Sequence, residues 1–329
     1  MKDNNMTQDQ QEYDVVGLGR AYIDIIAQAP YALLEKHGIP LDTGRYFDVD
    51  EMKLIKSQLS SSVLCAGGAV PNTLAGLAAL GVRTGCLGKM ARDEEGKVFL
   101  DDLKARGIDM LCEPYVENAP LSGTCIVLLT EGGERSFALH NGCVDSFTLE
   151  DFSNFDFGRA RIFLLYVSFL SNSVSHELVA QAVAMAHAKG CQIVMSLSEV
   201  RSWERREKMA LEVVAPYVDI IIGNEAENEA LFDVTGPLQD EKHLVITTRG
   251  ARGASARQGT TEKHVKAYKG DGFVSSLGAG DQFLAGFLKG QVMGLPLEEK
   301  LALAARAAAE IIKKPEARPS VDADWRGIL

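Results

Sequence analysis

Three small residues, Gly278-Ala279-Gly280, stand directly before Asp281 and an apolar run from Gln282 to Lys289 with helical spacing. Small residues opening a helix leave backbone N–H groups uncovered, and the helix dipole adds positive charge behind them, so the segment can hold an anion. A carboxylate is a poor neighbour for a bound phosphate, which leaves Asp281 two readings. Either it accepts the proton of a hydroxyl that attacks phosphorus while the amides stabilise the transferred group, or it merely caps the helix. Asn224 and Glu227, three residues apart, follow the apolar strand Val218 to Ile222. At the carboxyl end of a strand they could order the water shell of Mg2+, but their spacing is also that of a capping box. Thr248-Arg249-Gly250-Ala251-Arg252-Gly253 offers either close backbone approach to a ligand or a plain β-turn. Gly67-Gly68 followed by Asn72 reads as an amide able to grip a hydroxyl, or as a turn and helix cap. Asp24 lies alone in the apolar run Tyr22 to Ala27, either exposed on an edge strand or aimed at a polyol.

Other chemistries find less support. Gly17-Leu18-Gly19 has Tyr22 where a dinucleotide fingerprint needs its third glycine, and no phosphate-binding G-x-x-x-x-G-K-[ST] occurs. His37, His140, His176, His187, His243 and His264 show no metal-ligand spacing, and Cys65, Cys86, Cys112, Cys125, Cys143 and Cys191 contain no C-x-x-C pair. Free thiols and a reducing cytoplasm are expected. The net charge of −11 repels nucleic-acid backbones and anionic membranes, and neither a secretory signal nor a membrane-length apolar run is seen.

The elements that must carry these residues alternate. Tyr13 to Val16 reads as a strand, Val63 to Cys65 as a short apolar segment, Asn72 to Leu80 as a buried helix, Arg83 to Leu87 as a strand, and Glu94 to Arg106 as a helix. The stretch Asp109 to Asn141 differs: Thr124 to Thr130 and Arg135 to His140 flank Glu131-Gly132-Gly133-Glu134, a hairpin signal. Alternation resumes with strands at Ile162 to Tyr166, Gln192 to Ser196, Val218 to Ile222 and Leu244 to Thr248, and helices at Ser175 to Lys189, Trp203 to Ala215 and Glu225 to Phe232. The expectation is an α/β fold, a doubly wound and mostly parallel central sheet with a small β lobe.

In order and spacing these segments resemble the ribokinase-like, or phosphofructokinase-B type, sugar and nucleoside kinases over Tyr13 to Pro319. One signature is Gly67-Gly68 with Asn72, Gly81, Gly88, Asp93 and Gly96; the other is Gly278 to Asp281 with Phe283 and Gly286-Phe287. Thr124 to Cys143 and Glu316-Ala317-Arg318-Pro319 are most similar to the adenosine-kinase-like branch. The resemblance implies a Rossmann-like kinase domain over 13–329, a lid built from about 20–50 and 109–143, and a disordered tail over 1–12. It implies ATP, Mg2+ and transfer of the γ-phosphoryl to a primary alcohol of a sugar or nucleoside, by a monomer or homodimer. Asp281 would be the base and Gly278, Ala279 and Gly280 the anion hole. Asn224 and Glu227 would order Mg2+ through water, and Thr248, Gly250 and Gly253 would lie along the nucleotide. Asp24, Gly68 and Asn72 would hold acceptor hydroxyls. Three departures stand out. Ser275 replaces the family's Asp before the glycines, which speaks against a K+ site. Arg20 replaces Asn, suiting a carboxylate or phosphate. Phe163 to Leu170 also diverges. A ligand-binding protein that performs no transfer is the alternative, with a nicotinamide oxidoreductase more remote.

Overall fold

The computed structural model describes residues 11–119, 121–171, 175–197, 212–235, 242–268 and 272–328. Two sheets organise the chain. Among the described residues the larger has nine strands in the order β14-β13-β12-β11-β10-β9-β1-β5-β6. In chain order these are β1 (Tyr13–Leu18), β5 (Thr84–Leu87), β6 (Asp109–Met110), β9 (Ala160–Tyr166), β10 (Gln192–Ser196), β11 (Ile220–Asn224), β12 (Leu244–Thr248), β13 (Ala254–Gln258) and β14 (Thr261–Val265). Pairing is parallel from β6 to β12, and only the β12–β13 and β13–β14 pairings are antiparallel. The fold is thus α/β with a large, mostly parallel sheet and a second, smaller one, as the residue pattern predicts.

Strand periodicity explains the two-sided burial. Ile162 and Leu164 of β9 face one core with Leu74 and Leu77 of α3 (Ala69–Ala79), Phe283 and Phe287 of α8 (Ala279–Val292), and Leu301 of α9 (Leu297–Ile311). Phe163 and Leu165 face the other, with Val179 and Val183 of α6 (Ser175–Ala188) and Leu231 of α7 (Glu225–Thr235). Each sheet face is therefore covered by helices. No helix among the described residues is long and apolar enough to cross a membrane.

The smaller sheet has the order β3-β8-β7-β2-β4, from β2 (Tyr22–Gln28), β3 (Gly44–Tyr46), β4 (Val63–Gly67), β7 (Gly123–Leu129) and β8 (Arg135–His140). Ile23 and Ile25 of β2 are buried in the same core as Met52 and Ile55 of α2 (Val49–Ser57), while Asp24 alternates to the opposite side. α4 (Glu94–Ala105) starts at Asp93, whose carboxylate caps Gly96 N at 2.8 Å and also receives Ser122 N at 2.7 Å, just before β7. Asp93 and Gly96 of the first signature thereby serve architecture, joining a helix of one layer to a strand of the other.

Several boundaries differ from expectation. β4 belongs to the smaller sheet, antiparallel to β2, whereas β6 at Asp109–Met110 pairs with β5 in the larger one. Helices α1 (Tyr31–His37) and α2 occupy a stretch whose short length and mixed composition give weak periodicity. β11 begins two residues later than Val218, because a 3-10 turn at Ala215–Tyr217 consumes the start of the apolar run. Of the expected tail, Gln11 and Glu12 are anchored, Glu12 by an ion pair with Arg159 and Gln11 through Ala160 O at 3.3 Å. Residues 1–10 and most of the helix expected at Trp203 to Ala215 lie outside the described residues.

Candidate active site

The start of α8 is set by Gly278, its N-cap, with φ of 73°. A Cβ there would stand 2.0 Å from Ala317 O, so only glycine lets the C-terminal loop close against this turn. Ala279 N is used internally, donating to Ser276 O at 3.2 Å. The next two amides, Gly280 and Asp281, have no hydrogen-bond partner among the described residues, as the first helical turn dictates. A Cβ on Gly280 would meet nothing within 4 Å, so open space lies over these N–H groups. Of the three amides the sequence assigns to the anion hole, Ala279 N is used within the turn, whereas Gly278 N and Gly280 N have no hydrogen-bond partner among the described residues, and Asp281 N adds another uncovered amide.

Asp281 points back across the cleft floor. Its Oδ1 accepts from Tyr166 OH at 2.8 Å, its Oδ2 from Asn72 Nδ2 at 3.2 Å, and its carbonyl from Thr73 Oγ1 at 3.3 Å. Burial pushes the carboxyl up to about 6, against the pull of these donors and of Arg318. Asn72 is 6% exposed and engaged at each end: its Oδ1 accepts from Arg318 Nε at 2.8 Å, and its carbonyl from Gln282 Nε2 at 2.9 Å. Arg318 in turn donates to Asp102 Oδ2 at 2.8 Å. Asn72 thus ties the start of α3 to the start of α8 and the C-terminal loop.

Asp24 faces the same region from β2. Burial raises it to about 6, and Arg318 opposes the shift. The absence of a side chain at Gly67, on the neighbouring strand, leaves room for it: a Cβ would fall 2.4 Å from Asp24 Oδ1. Asp24, Cys65, Asp102, Leu277, Ala317 and Arg318 help line a cavity of ≈ 530 Å³. Gly68 caps α3, its carbonyl receiving Asn72 N at 2.8 Å.

Neighbouring parallel strands end at Tyr166, Ser196, Asn224 and Thr248, so one crest runs along the carboxyl edge of the larger sheet. Tyr166 pairs with Ser196 across β9 and β10, and Asn224 with Thr248 across β11 and β12. This is where open α/β sheets collect ligands. Asn224 and Glu227 form a reciprocal capping box, Asn224 N to Glu227 Oε2 at 2.8 Å and Glu227 N to Asn224 Oδ1 at 2.9 Å. The cap fixes two oxygen-bearing side chains at the crest, a donor set of the hard-oxygen type that suits Mg2+ through its waters. Gly250 opens a 3-10 turn that Gly253 closes, and Arg249 Nε joins the turn to Glu225 Oε1 at 2.9 Å.

Over most of its length the chain matches the family model described as pfkB family carbohydrate kinase, across residues 46–324. The chain belongs to this family. A curated relative, the 5-dehydro-2-deoxygluconokinase of Geobacillus kaustophilus (strain HTA426), is 26% identical over 262 residues, spanning 75% of this chain and 78% of that protein. Among solved structures, the adenosine kinase from Sinorhizobium meliloti is similar with a TM-score of 0.78 and 27% identity, over 94% of this chain and 96% of that one. The fold also matches adenosine kinase from Schistosoma mansoni in complex with 2-fluoroadenosine, at TM-score 0.80 and 22% identity, over 95% and 98% of the two chains. A carbohydrate-kinase family implies ATP as co-substrate and a small sugar or nucleoside as acceptor.

Within this pfkB-family chain Arg20 has a partner inside the protein. Arg20 spends its fork inside the protein, Nε on Asp145 Oδ1 at 2.7 Å and Nη2 on Asp145 Oδ2 at 3.0 Å, with the guanidinium over Phe169. The two side chains are 11% and 10% exposed, so Arg20 is neutralised by Asp145, 125 residues away in the chain. Four residues to which the sequence assigns no site role stand there: Tyr166, Thr73, Arg318 and Arg135. Arg135, on the hairpin of the smaller sheet, donates from Nη1 to Ser275 Oγ at 2.6 Å, next to the turn that opens α8. Tyr166 could have been found as the polar end of an apolar strand; Arg135 and Arg318 meet their partners only through tertiary contact.

Proposed function

We propose that this chain is an ATP-dependent kinase that transfers the γ-phosphoryl group to a primary hydroxyl of a sugar or nucleoside, with Asp281 as general base. The observation that carries the reading is the joint placement of a carboxylate of raised proton affinity, two uncovered amides and open space at one helix start. The acceptor hydroxyl gives its proton to the Asp281 carboxylate as its oxygen bonds to the γ-phosphorus. The bond from that phosphorus to the β,γ-bridging oxygen breaks, and ADP leaves with the electron pair. The amides of Gly280 and Asp281 offset charge on the transferred group, and Arg135 brings a guanidinium to the same end from the smaller sheet, which acts as the lid. Asp24, Gly68 and Asn72 lie on the acceptor side, and Thr248, Gly250 and Gly253 on the nucleotide side. Asn224 and Glu227 would hold Mg2+ through water, where the ion neutralises phosphate charge when bound.

A coupled ADP-release screen over nucleosides, ketoses and sugar acids tests the reading, with adenosine and 5-dehydro-2-deoxygluconate included because of the two kinds of relative. ADP formation that depends on one acceptor class is expected. Calorimetric binding of a sugar with no ADP produced from ATP would identify a binding protein instead.

Two further outcomes follow from the geometry. The base must be ionised, so kcat/KM should fall as pH drops through about 6 and level off above it. Asp24, also raised to about 6 by burial, adds to the raised affinity of Asp281, because its charge disfavours ionisation of Asp281. A limb near the ordinary carboxylate range would contradict the buried setting. Ser275 is 2% exposed, and its Oγ already receives Arg135 and Leu277 N. A guanidinium there disfavours a second cation, so initial rates in Na+, K+ and choline should be equal. Strong K+ activation would contradict this.

A further inference from the structure

This inference rests on Asp281 being the base, and it concerns the phenol beside it, which the transfer step leaves unused. Tyr166 ends β9 with its hydroxyl 2.8 Å from Asp281 Oδ1 and 3.0 Å from Thr73 Oγ1, and Ser196 hydrogen-bonds the same phenol from β10. Burial and the adjacent Asp281 keep this phenol well above its ordinary range, so it remains a donor throughout the working pH range. The second oxygen of Asp281 has a longer contact, 3.2 Å, to Asn72 Nδ2, and Asn72 is itself held by Arg318. A carboxylate gripped at each oxygen from a different element, β9 and α3, cannot rotate freely about its terminal bond.

We propose that Tyr166 is the positioning residue of the catalytic base: its O–H fixes Asp281 Oδ1, so that the remaining lone pairs face the incoming hydroxyl, and it favours the charged carboxylate. The groups that face Asp281 are Tyr166 from β9, Asn72 and Thr73 from α3, Arg318 from the C-terminal loop and Asp24 from β2. Tyr166, Asn72 and Arg318 favour its ionised form, whereas Asp24 opposes it. At 2.8 Å Tyr166 supplies the shortest of these hydrogen bonds, and replacing it with Phe removes a single oxygen.

The test follows the Asp281 carboxyl by 13C NMR in protein labelled at aspartate, its signal assigned by its loss in Asp281→Asn. Tyr166→Phe should move that titration to higher pH, shift the acid limb of kcat the same way, and lower kcat by roughly 10-fold or more with KM for ATP unchanged. Site-specific replacement of Tyr166 by 3,5-difluorotyrosine, a more acidic phenol and stronger donor, should move the titration to lower pH, and it preserves packing if the Phe variant folds poorly. A titration and acid limb unmoved by either replacement would overturn the proposal, as would a Phe variant that loses only thermal stability. Turnover retained by Asp281→Asn would instead reject the base itself, so the two failures are distinguishable.

Discussion

Asp281→Asn should fold like the parent and lose about 10² to 10⁴ in kcat, the usual contribution of a positioned general base. The substitution preserves shape and keeps an oxygen for one donor. Its amide, however, cannot take a proton from an attacking hydroxyl, and it turns an N–H toward either Tyr166 or Asn72, which are both donors here. The pH dependence near 6 should disappear with the group, apart from what Asp24 contributes. Steady-state ADP release, with a melting curve to verify folding, measures these effects. Near-normal turnover would remove Asp281 from the role.

The second large effect separates the two glycines of the same turn. Gly278→Ala places a methyl 2.0 Å from Ala317 O at a φ of 73°, so the loop carrying Arg318 and the start of α8 must part. A loss of about 2 to 4 kcal/mol in stability is expected, from left-handed strain plus the collision. Turnover should fall by roughly 10²-fold as the base and amides shift by up to an ångström. Gly280→Ala does the opposite to stability. Nothing lies within 4 Å of its added methyl, and alanine is the better helix former by about 0.5 to 1 kcal/mol. Yet the methyl enters the space over the uncovered amides, so KM for ATP should rise and kcat should fall while Tm rises slightly. If Gly280→Ala left the kinetics untouched, that space would not be where the phosphates lie.

What the residues disclose in advance, and what they do not, follows from the range of the interactions. The alternation of Phe163 and Leu165 with Ile162 and Leu164, and the glycine-punctuated turns, are local signals, and they suffice for a helix-covered parallel sheet. The start of α8 is equally local, because small residues before an apolar helix expose amides whatever the rest of the chain does. Asn224 and Glu227 form the capping box their spacing allows, and it sits at the carboxyl edge of the larger sheet. Arg20 is not legible, since the carboxylate that neutralises it lies 125 residues away. The same holds for Arg318, which reaches Asn72 across 246 positions, and for Arg135, which crosses from one sheet to the loop of the other layer. The engagement of Ala279 N depends on a single carbonyl, that of Ser276, closing the turn, which residue types alone do not show.

The most direct measurement is a rapid-quench single turnover with γ-labelled ATP and the acceptor found by screening. The label should appear on the acceptor's alcohol oxygen in one-to-one proportion with ADP, quickly in the parent and at a small fraction of that rate in Asp281→Asn. Label released only as inorganic phosphate, or transferred at equal rates by the two proteins, would contradict the account.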